Sequence, residues 1–351
     1  MIHRLLLALL LLPACADKDD PATDDTQPVD DTETVDDTDA ADDTDTPVDT
    51  DETDPPIDES DLPEPADLPL DGPCTDSNRV GRFVVESNED YAYASGSVAE
   101  GVLPVAVLTL VAQQGECTIW RRENPFCNPN CEPGFTCDLS GTCVPYPSNV
   151  SVGDATIRGL ERTIVMSPVV PGNNYFNTTL SNPPWTSGEP IQLRTAGGDT
   201  WPAMTLFGVA PPQLEPATLA WLVTSGEPLV LQWDPQPDAH TEIVARLRID
   251  QHGFTPSNIE CIFADDGEAE IPTSLIDQLV ALGLTGFPAG ELFRRSMDSV
   301  EVGPDACVEF TPVSSRLPTV GVAGYTPCTA DPQCPPGQIC NEPLERCEPA
   351  P

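Results

Sequence analysis

Twelve of the chain's thirteen cysteines lie beyond residue 73, and they set how much of the fold covalent bonds must hold. They form three even groups. The first is Cys74, Cys117, Cys127, Cys131, Cys137 and Cys143; the second is Cys261 and Cys307; the third is Cys328, Cys334, Cys340 and Cys347. In an exported chain such thiols oxidise, and an even count lets each group close on itself. The expectation is three separately stapled regions, with Cys261 bonded to Cys307. Connectivity inside the groups of six and four stays open, because spacing alone does not select a pairing.

Export itself is read from residues 1–14. His3 and Arg4 give a short basic start, and 5–12 is an apolar run too short to span a bilayer core of ~30 Å. The segment Leu12-Pro13-Ala14-Cys15 resembles the lipobox of bacterial lipoproteins. That resemblance implies a signal peptide at 1–14, acylation of Cys15 and a membrane partner reached through its lipid. Ala16 after the cysteine implies the outer membrane or cell surface. The alternative is ordinary cleavage after Ala14-Cys15-Ala16, which would release a soluble protein.

Residues 15–72 read as a disordered, lipid-attached linker. From 16 to 72 there are 24 of the chain's 58 acids and one base, Lys18. An Asp-Asp-Thr unit recurs at Asp24, Asp30, Asp36 and Asp42. With no aromatic residue, the segment cannot bury enough apolar surface to offset its ordering entropy. Specific calcium loops need a fixed ligand order and a turn glycine, which the repeat lacks. Diffuse divalent cations around the acids remain an expectation. The net charge of −43 excludes nucleic acid as a partner, since a polyanion would be repelled.

Two cysteine groups share a phrase. Cys131-Glu-Pro-Gly-Phe-Thr-Cys137 is matched by Cys334-Pro-Pro-Gly-Gln-Ile-Cys340, and another cysteine follows each, Cys143 and Cys347. The pattern resembles small extracellular modules of the EGF-like or dickkopf-like kind. Units this small lack a core and depend on their bridges. Structural staples are the first reading. Zinc ligation and an inhibitory or receptor-binding loop are the other two.

The body, 148–326, reads as an all-β sandwich. Ile243, Ala245, Leu247 and Ile249 face one way and Glu242, Arg246 and Arg248, with Val244, the other; Leu229, Leu231 and Trp233 alternate with Val230, Gln232 and Asp234; Ile259, Cys261 and Phe263 share a face. Asp265-Asp266-Gly267-Glu268 predicts a hairpin turn, and Gly197-Gly198-Asp199 a second. One helix is predicted at 274–282, capped by Thr273 or Ser274 and ended by Gly283. The pattern resembles an immunoglobulin-type or fibronectin-type sandwich. Cys307 is out of phase with Val308 and Phe310, which disagrees with a bridge between sheet interiors. Region 73–147 is also strand-rich and is expected to join the same sandwich, with 117–147 as a Cys-rich insertion. Residues 327–351 form a C-terminal Cys-rich module.

Catalytic signatures are missing: no nucleophile elbow, zinc-protease motif, phosphate loop or dinucleotide fingerprint occurs. No cofactor or metal site is expected. No Cys/His ligand set in the sequence completes a metal site around His240 and His252. Glu260, Asp265, Asp266 and Glu268 form the densest acid cluster, read as a solvated hairpin tip. Segment 173–190 sets Tyr175, Phe176 and Trp185 among asparagines, a candidate recognition loop for sugar or peptide, with packing against the core as its alternative. The functional expectation is a non-catalytic, lipid-anchored surface protein that recognises an extracellular protein or glycan. The alternative is an exported hydrolase working with paired carboxylates, and a minor one an inhibitor built on the Cys modules.

Overall fold

The computed structural model describes residues 62–199, 201–236, 240–249 and 256–350. Residues 1–14, read above as a signal peptide, Cys15, the acidic repeats and His252 lie outside the described residues.

The first strands of the described residues are β1 (Arg79–Ser87), β2 (Ala92–Ala99), β3 (Leu108–Gln114) and β4 (Cys117–Arg122). A small ribbon, β5 (Phe135–Cys137) and β6 (Cys143–Pro145), leads to β7 (Asn149–Val150). Then come β8 (Ala155–Arg158), β9 (Ile164–Met166), β10 (Tyr175–Asn177), β11 (Pro190–Thr195) and β12 (Met204–Val209). After β13 (Ala220–Val223) and β14 (Leu229–Gln232) lie β15 (Glu242–Arg248), β16 (Ser257–Ala264), β17 (Glu268–Ile271) and the helix α1 (Thr273–Ala281). The chain closes with β18 (Ala289–Arg295), β19 (Asp298–Gly303), β20 (Ala306–Arg316), β21 (Thr319–Val322), β22 (Gln338–Asn341) and β23 (Arg346–Pro349).

One long sheet runs in the order β10-β2-β1-β20-β18-β15-β16-β4-β3, with β7 added on β2 and β19 on β20. Pairing is antiparallel along it except between β1 and β20, which run parallel. The strands of 79–122 therefore belong to the same sheet as those of 242–316.

Two separate cores lie under one face of this sheet. Phe83, Val85, Ala94 and Phe310 share a cluster with Ile157, Ile191, Leu193 and Leu206 of a second sheet, ordered β12-β11-β8-β9. This is an all-β sandwich. Further along, Ile119, Ile243, Leu247 and Phe263 share a cluster with Trp221, Leu231 and the buried face of α1, Leu275, Ile276 and Leu279. The ribbons β13-β21 and β14-β17 complete that second lid. Each such aliphatic or aromatic side chain, fully buried, contributes roughly 1.5–3 kcal/mol.

The period-2 pattern at 243–249 produces β15 with Ile243, Ala245 and Leu247 inward and Glu242 and Arg246 outward. The glycines at 197–198 sit between β11 and β12, which pair as a hairpin. Other details differ from expectation. Pro272, not Thr273 or Ser274, is the N-cap of α1, and it makes no side-chain cap bond. Residues 265–268 are a corner, not a hairpin: β16 pairs with β15 and β4, while β17 pairs with β14.

All twelve cysteines beyond residue 73 are bonded, but not in the expected groups. Cys261 joins Cys117, and Cys307 joins Cys74. The reason lies in the pleat. Cys261 shares the inner face with Ile259 and Phe263. Cys307 is out of phase with Val308 and Phe310 because it shares the opposite face with Glu309. Strands β16 and β20 are also separated by β15 and β18, roughly 14 Å across three spacings, beyond the ~7 Å Cα reach of a disulfide. Cys117 and Cys261 stand directly opposite each other in register, with Cα atoms 4.0 Å apart. The expected insertion at 117–147 therefore divides, since Cys117 opens a sheet strand and the crossed bonds span 127–143.

Removing those two sheet bonds leaves two modules of four cysteines with one connectivity. Cys127–Cys137 and Cys131–Cys143 cross as first to third and second to fourth, as do Cys328–Cys340 and Cys334–Cys347. The shared phrase makes the same turn in each. Phe135 N–H donates to Glu132 O and Gln338 N–H to Pro335 O, both at 3.1 Å. Gly134 and Gly337 occupy the third turn position at φ 87° and 86°, where a side chain would be strained. Sulfurs cluster at Cys127, Cys131 and Cys143, and at Cys328, Cys334 and Cys340, but every one is in a disulfide.

Within the first module, the Asp138 carboxylate accepts N–H from Thr142 at 2.8 Å and from Ser140 at 2.9 Å. The Thr142 bond, followed by the Ser140 hydroxyl, holds its pKa below the ordinary value. A lowered folded value stabilises the loop above the unfolded pKa and is lost as pH falls through the folded one. Amide exchange of Thr142 is therefore expected to lose protection selectively on acidification below pH ~4. Protection that is flat with pH, or that rises in acid, would contradict the assignment.

Candidate functional site

The outer face of the long sheet carries charge where the inner face carries the cores. Because side chains alternate along a strand, the residues between the core positions all emerge here. Arg82 of β1 stands opposite Glu309 of β20; Glu291 of β18, Arg246 of β15 and Glu260 of β16 stand in register as a second row. A groove of about 860 Å³ follows, lined by Arg79, Arg82, Arg122, Arg246, Arg248 and Arg295. Six of the chain's fourteen arginines thus line one depression. Its acidic lining is Asp76, Glu260, Glu291 and Glu309, so the groove has an excess of positive charge in a strongly acidic protein.

Glu309 anchors one end. Its side chain is fully buried and accepts the Cys74 N–H at 3.0 Å, the Arg82 Nη2 at 2.9 Å and, more distantly, Arg79 at 3.6 Å. The Cys74–Cys307 bond therefore fixes the segment that supplies Arg79. Burial, reinforced by the positive charges of Arg79 and Arg246, pulls the Arg82 pKa below its ordinary value against the opposing pull of Glu309. Arg246 pairs with Glu260 and Glu291, Arg248 with Glu291, and Arg295 with Glu242 at 2.7 Å. Both Arg246 and Arg295 lie over the Phe293 ring, at 4.9 and 5.9 Å. Arg122 differs: among the described residues its guanidinium has no partner.

A second depression of about 310 Å³ continues the first, since Arg82, Arg246, Glu291 and Arg295 line both. Its floor includes Thr311, which is 3 % exposed and whose Oγ1 has no hydrogen-bond partner. At its far wall the Tyr93 hydroxyl donates to Glu86 at 2.7 Å. Burial, with that bond, raises the Tyr93 pKa, which keeps the phenol a neutral donor. Tyr93 continues into an aromatic row: Tyr91 lies 6.1 Å from it and Phe176 6.3 Å. Tyr91 and Phe176 are 57 % and 60 % exposed.

The expected recognition loop at 173–190 is divided by the fold. Tyr175 is buried beside Phe83, and its hydroxyl accepts the Val152 N–H and donates to Gly153 O. Trp185 is also core, with Nε1 donating to Pro211 O at 3.0 Å. Both belong to packing, since each ring is enclosed and its polar atom satisfied. Phe176 alone of the three faces outward, because it follows Tyr175 on the strand and points to the opposite side.

The acid cluster also disperses. Glu260 faces the groove, Glu268 accepts from Gln232, and Asp265 is buried in an ion pair with Arg294. The solvated-tip reading of Asp265 is therefore corrected. The corner folds inward there because Trp233 Nε1 and the Arg294 guanidinium both require an acceptor. Sequence reading missed the groove arginines, Tyr91 and Tyr93. The available signal was the outward phase of Arg246 and Arg248 on β15.

No family model matches the chain. No curated protein matches it. Solved structures do match, among them the chicken CNTN1 FN1-FN3 domains, at 8 % identity over 66 % of this chain and 72 % of that one, with a TM-score of 0.18. Another is the Ca²⁺-stabilized adhesin that helps an Antarctic bacterium reach out and bind ice, at 10 % identity over 71 % of this chain and 76 % of that one, with a TM-score of 0.16.

Proposed function

We propose that this chain is an exported, non-catalytic surface protein, held to a bacterial outer membrane by lipid on Cys15, that recognises an extracellular protein or glycan through the groove on its long sheet. The observation that carries the reading is the concentration of six arginines in one depression of a protein with net charge −43. The lining sets six arginines against four acids, and a cleft with such a positive excess steers and holds ligands of the other sign. Six disulfides support an oxidising compartment. The two crossed-bond modules, alike in turn and connectivity, support small extracellular units of the EGF-like kind.

Binding is favoured over carboxylate hydrolysis by the state of the groove acids. Glu260, Glu291 and Glu309 each pair with arginine, whereas a glycosidase sets two carboxyls across one bond with one acting as proton donor. Burial raises the Asp298 pKa, but this carboxyl accepts N–H groups from Asp71, Phe207 and Ser299 and lines neither depression.

Among the described residues Arg122 has no ion pair to break, so Arg122→Glu isolates the charge of the groove. Retention on dextran sulfate beads at fixed salt is expected to weaken roughly ten-fold, about 1.4 kcal/mol. Unchanged retention would remove the groove from the binding surface. Cys15→Ser is expected to move the protein from the membrane to the soluble fraction; a variant still sedimenting with membranes rules out the anchor.

A further inference from the structure

We propose that the ligand of this groove is a linear acidic polysaccharide, its sugar rings stacked on the row Tyr91, Tyr93 and Phe176 and its carboxylates or sulfates taken by the arginines. The inference rests on the recognition reading above and names its ligand class. Four observations lead to it.

The first is extent. The strip from Tyr93 on β2 to Arg122 on β4 crosses seven adjacent strands, roughly 29 Å at the usual strand spacing. A single sugar or a short anion covers a fraction of that length, whereas an extended polymer fills it. The second is the change of chemistry along the strip. Exposed flat rings stand at one end and cations at the other. A polymer of charged sugars presents both a C–H face and a carboxylate or sulfate in each repeat.

The third is the unmatched polar group on the floor. Thr311 Oγ1 is buried, without a partner, in a residue that lines the second depression together with Tyr93, Arg82 and Arg295. An unsatisfied buried hydroxyl costs stability, and a ligand hydroxyl would satisfy it. The fourth concerns the competing occupant, an acidic peptide. Peptides that add to sheets do so along an edge, through backbone hydrogen bonds. This groove lies on the face, where the central strands already pair on both sides. A peptide would gain no strand pairing there, and a glycan needs none.

The test uses the full mature chain and three immobilised probes: polygalacturonate, poly-L-glutamate and neutral dextran. Polygalacturonate is expected to bind, more weakly as salt rises, and dextran to be ignored. Phe176→Ala, a change at an exposed position, is expected to weaken polygalacturonate binding about five- to ten-fold. Thr311→Val is expected to weaken it about three-fold while raising the thermal midpoint, because the unsatisfied hydroxyl is gone. A residue of purely structural role would not move the two readouts in opposite directions.

Poly-L-glutamate binding as tightly as polygalacturonate and indifferent to Phe176→Ala would overturn the glycan assignment and leave the anion-binding groove standing. Dextran binding equally well would overturn the assignment of an acidic ligand. Silence from all three probes would overturn both the assignment and the groove reading.

Discussion

Asp265→Ala is expected to destabilise the folded chain by about 3–5 kcal/mol, the usual cost of leaving one charge of a buried pair alone. Both side chains of the Arg294–Asp265 pair are fully buried. The carboxylate also accepts Trp233 Nε1 at 2.8 Å and the Gln236 N–H at 3.3 Å. The guanidinium donates to Gln213 O at 3.0 Å and Asp234 O at 2.7 Å, tying the segment after β12 to the segment after β14. Removing the carboxylate strands Arg294 and the Trp233 indole N–H together. Urea denaturation of the purified protein should show a lower midpoint with an unchanged slope. Adding Arg294→Met to Asp265→Ala should recover part of the loss, since no charge is then buried alone. A loss below about 1 kcal/mol would mean that water reaches this pair.

The second large effect is covalent. Replacing Cys117 and Cys261 together by alanine is expected to cost about 2–5 kcal/mol, because the bond closes a loop of 144 residues in the unfolded chain. The pair lies in the second core, on adjacent strands β4 and β16, and a calorimetric scan should show the main transition move down. Replacing Cys328 and Cys340 should act differently. That bond spans 12 residues inside the C-terminal module, where no core is at stake. The main transition should stay within about 0.5 kcal/mol while the module itself opens. Equal shifts for both pairs would deny that the module is an independent staple.

Some residues disclosed their places in the sequence, and others could not. The alternation Ile243, Ala245, Leu247 produced β15 because a strand with one wet face needs period 2. The misfit of Cys307 with Val308 and Phe310 was also legible. It shows that Cys307 faces away from the core, although not which cysteine waits there. Tyr175 and Phe176 were indistinguishable as types. Adjacent positions on one strand then sent one into the core and the other to the surface. Asp265 read as a turn acid because its neighbours Asp266 and Gly267 do; its burial depends on Arg294, 29 residues on.

The sequence by itself determined a strand-rich, oxidised body with two copies of one stapled phrase, because alternation, turn glycines and cysteine spacing act through local geometry. Only the tertiary structure decided the bonds and the groove. Strand β1 lies beside β20, more than 200 residues later, and β4 beside β16, so the arginines of four distant segments meet on one face. Cross-strand neighbours are chosen by sheet register, a property of the assembled fold that no single strand encodes.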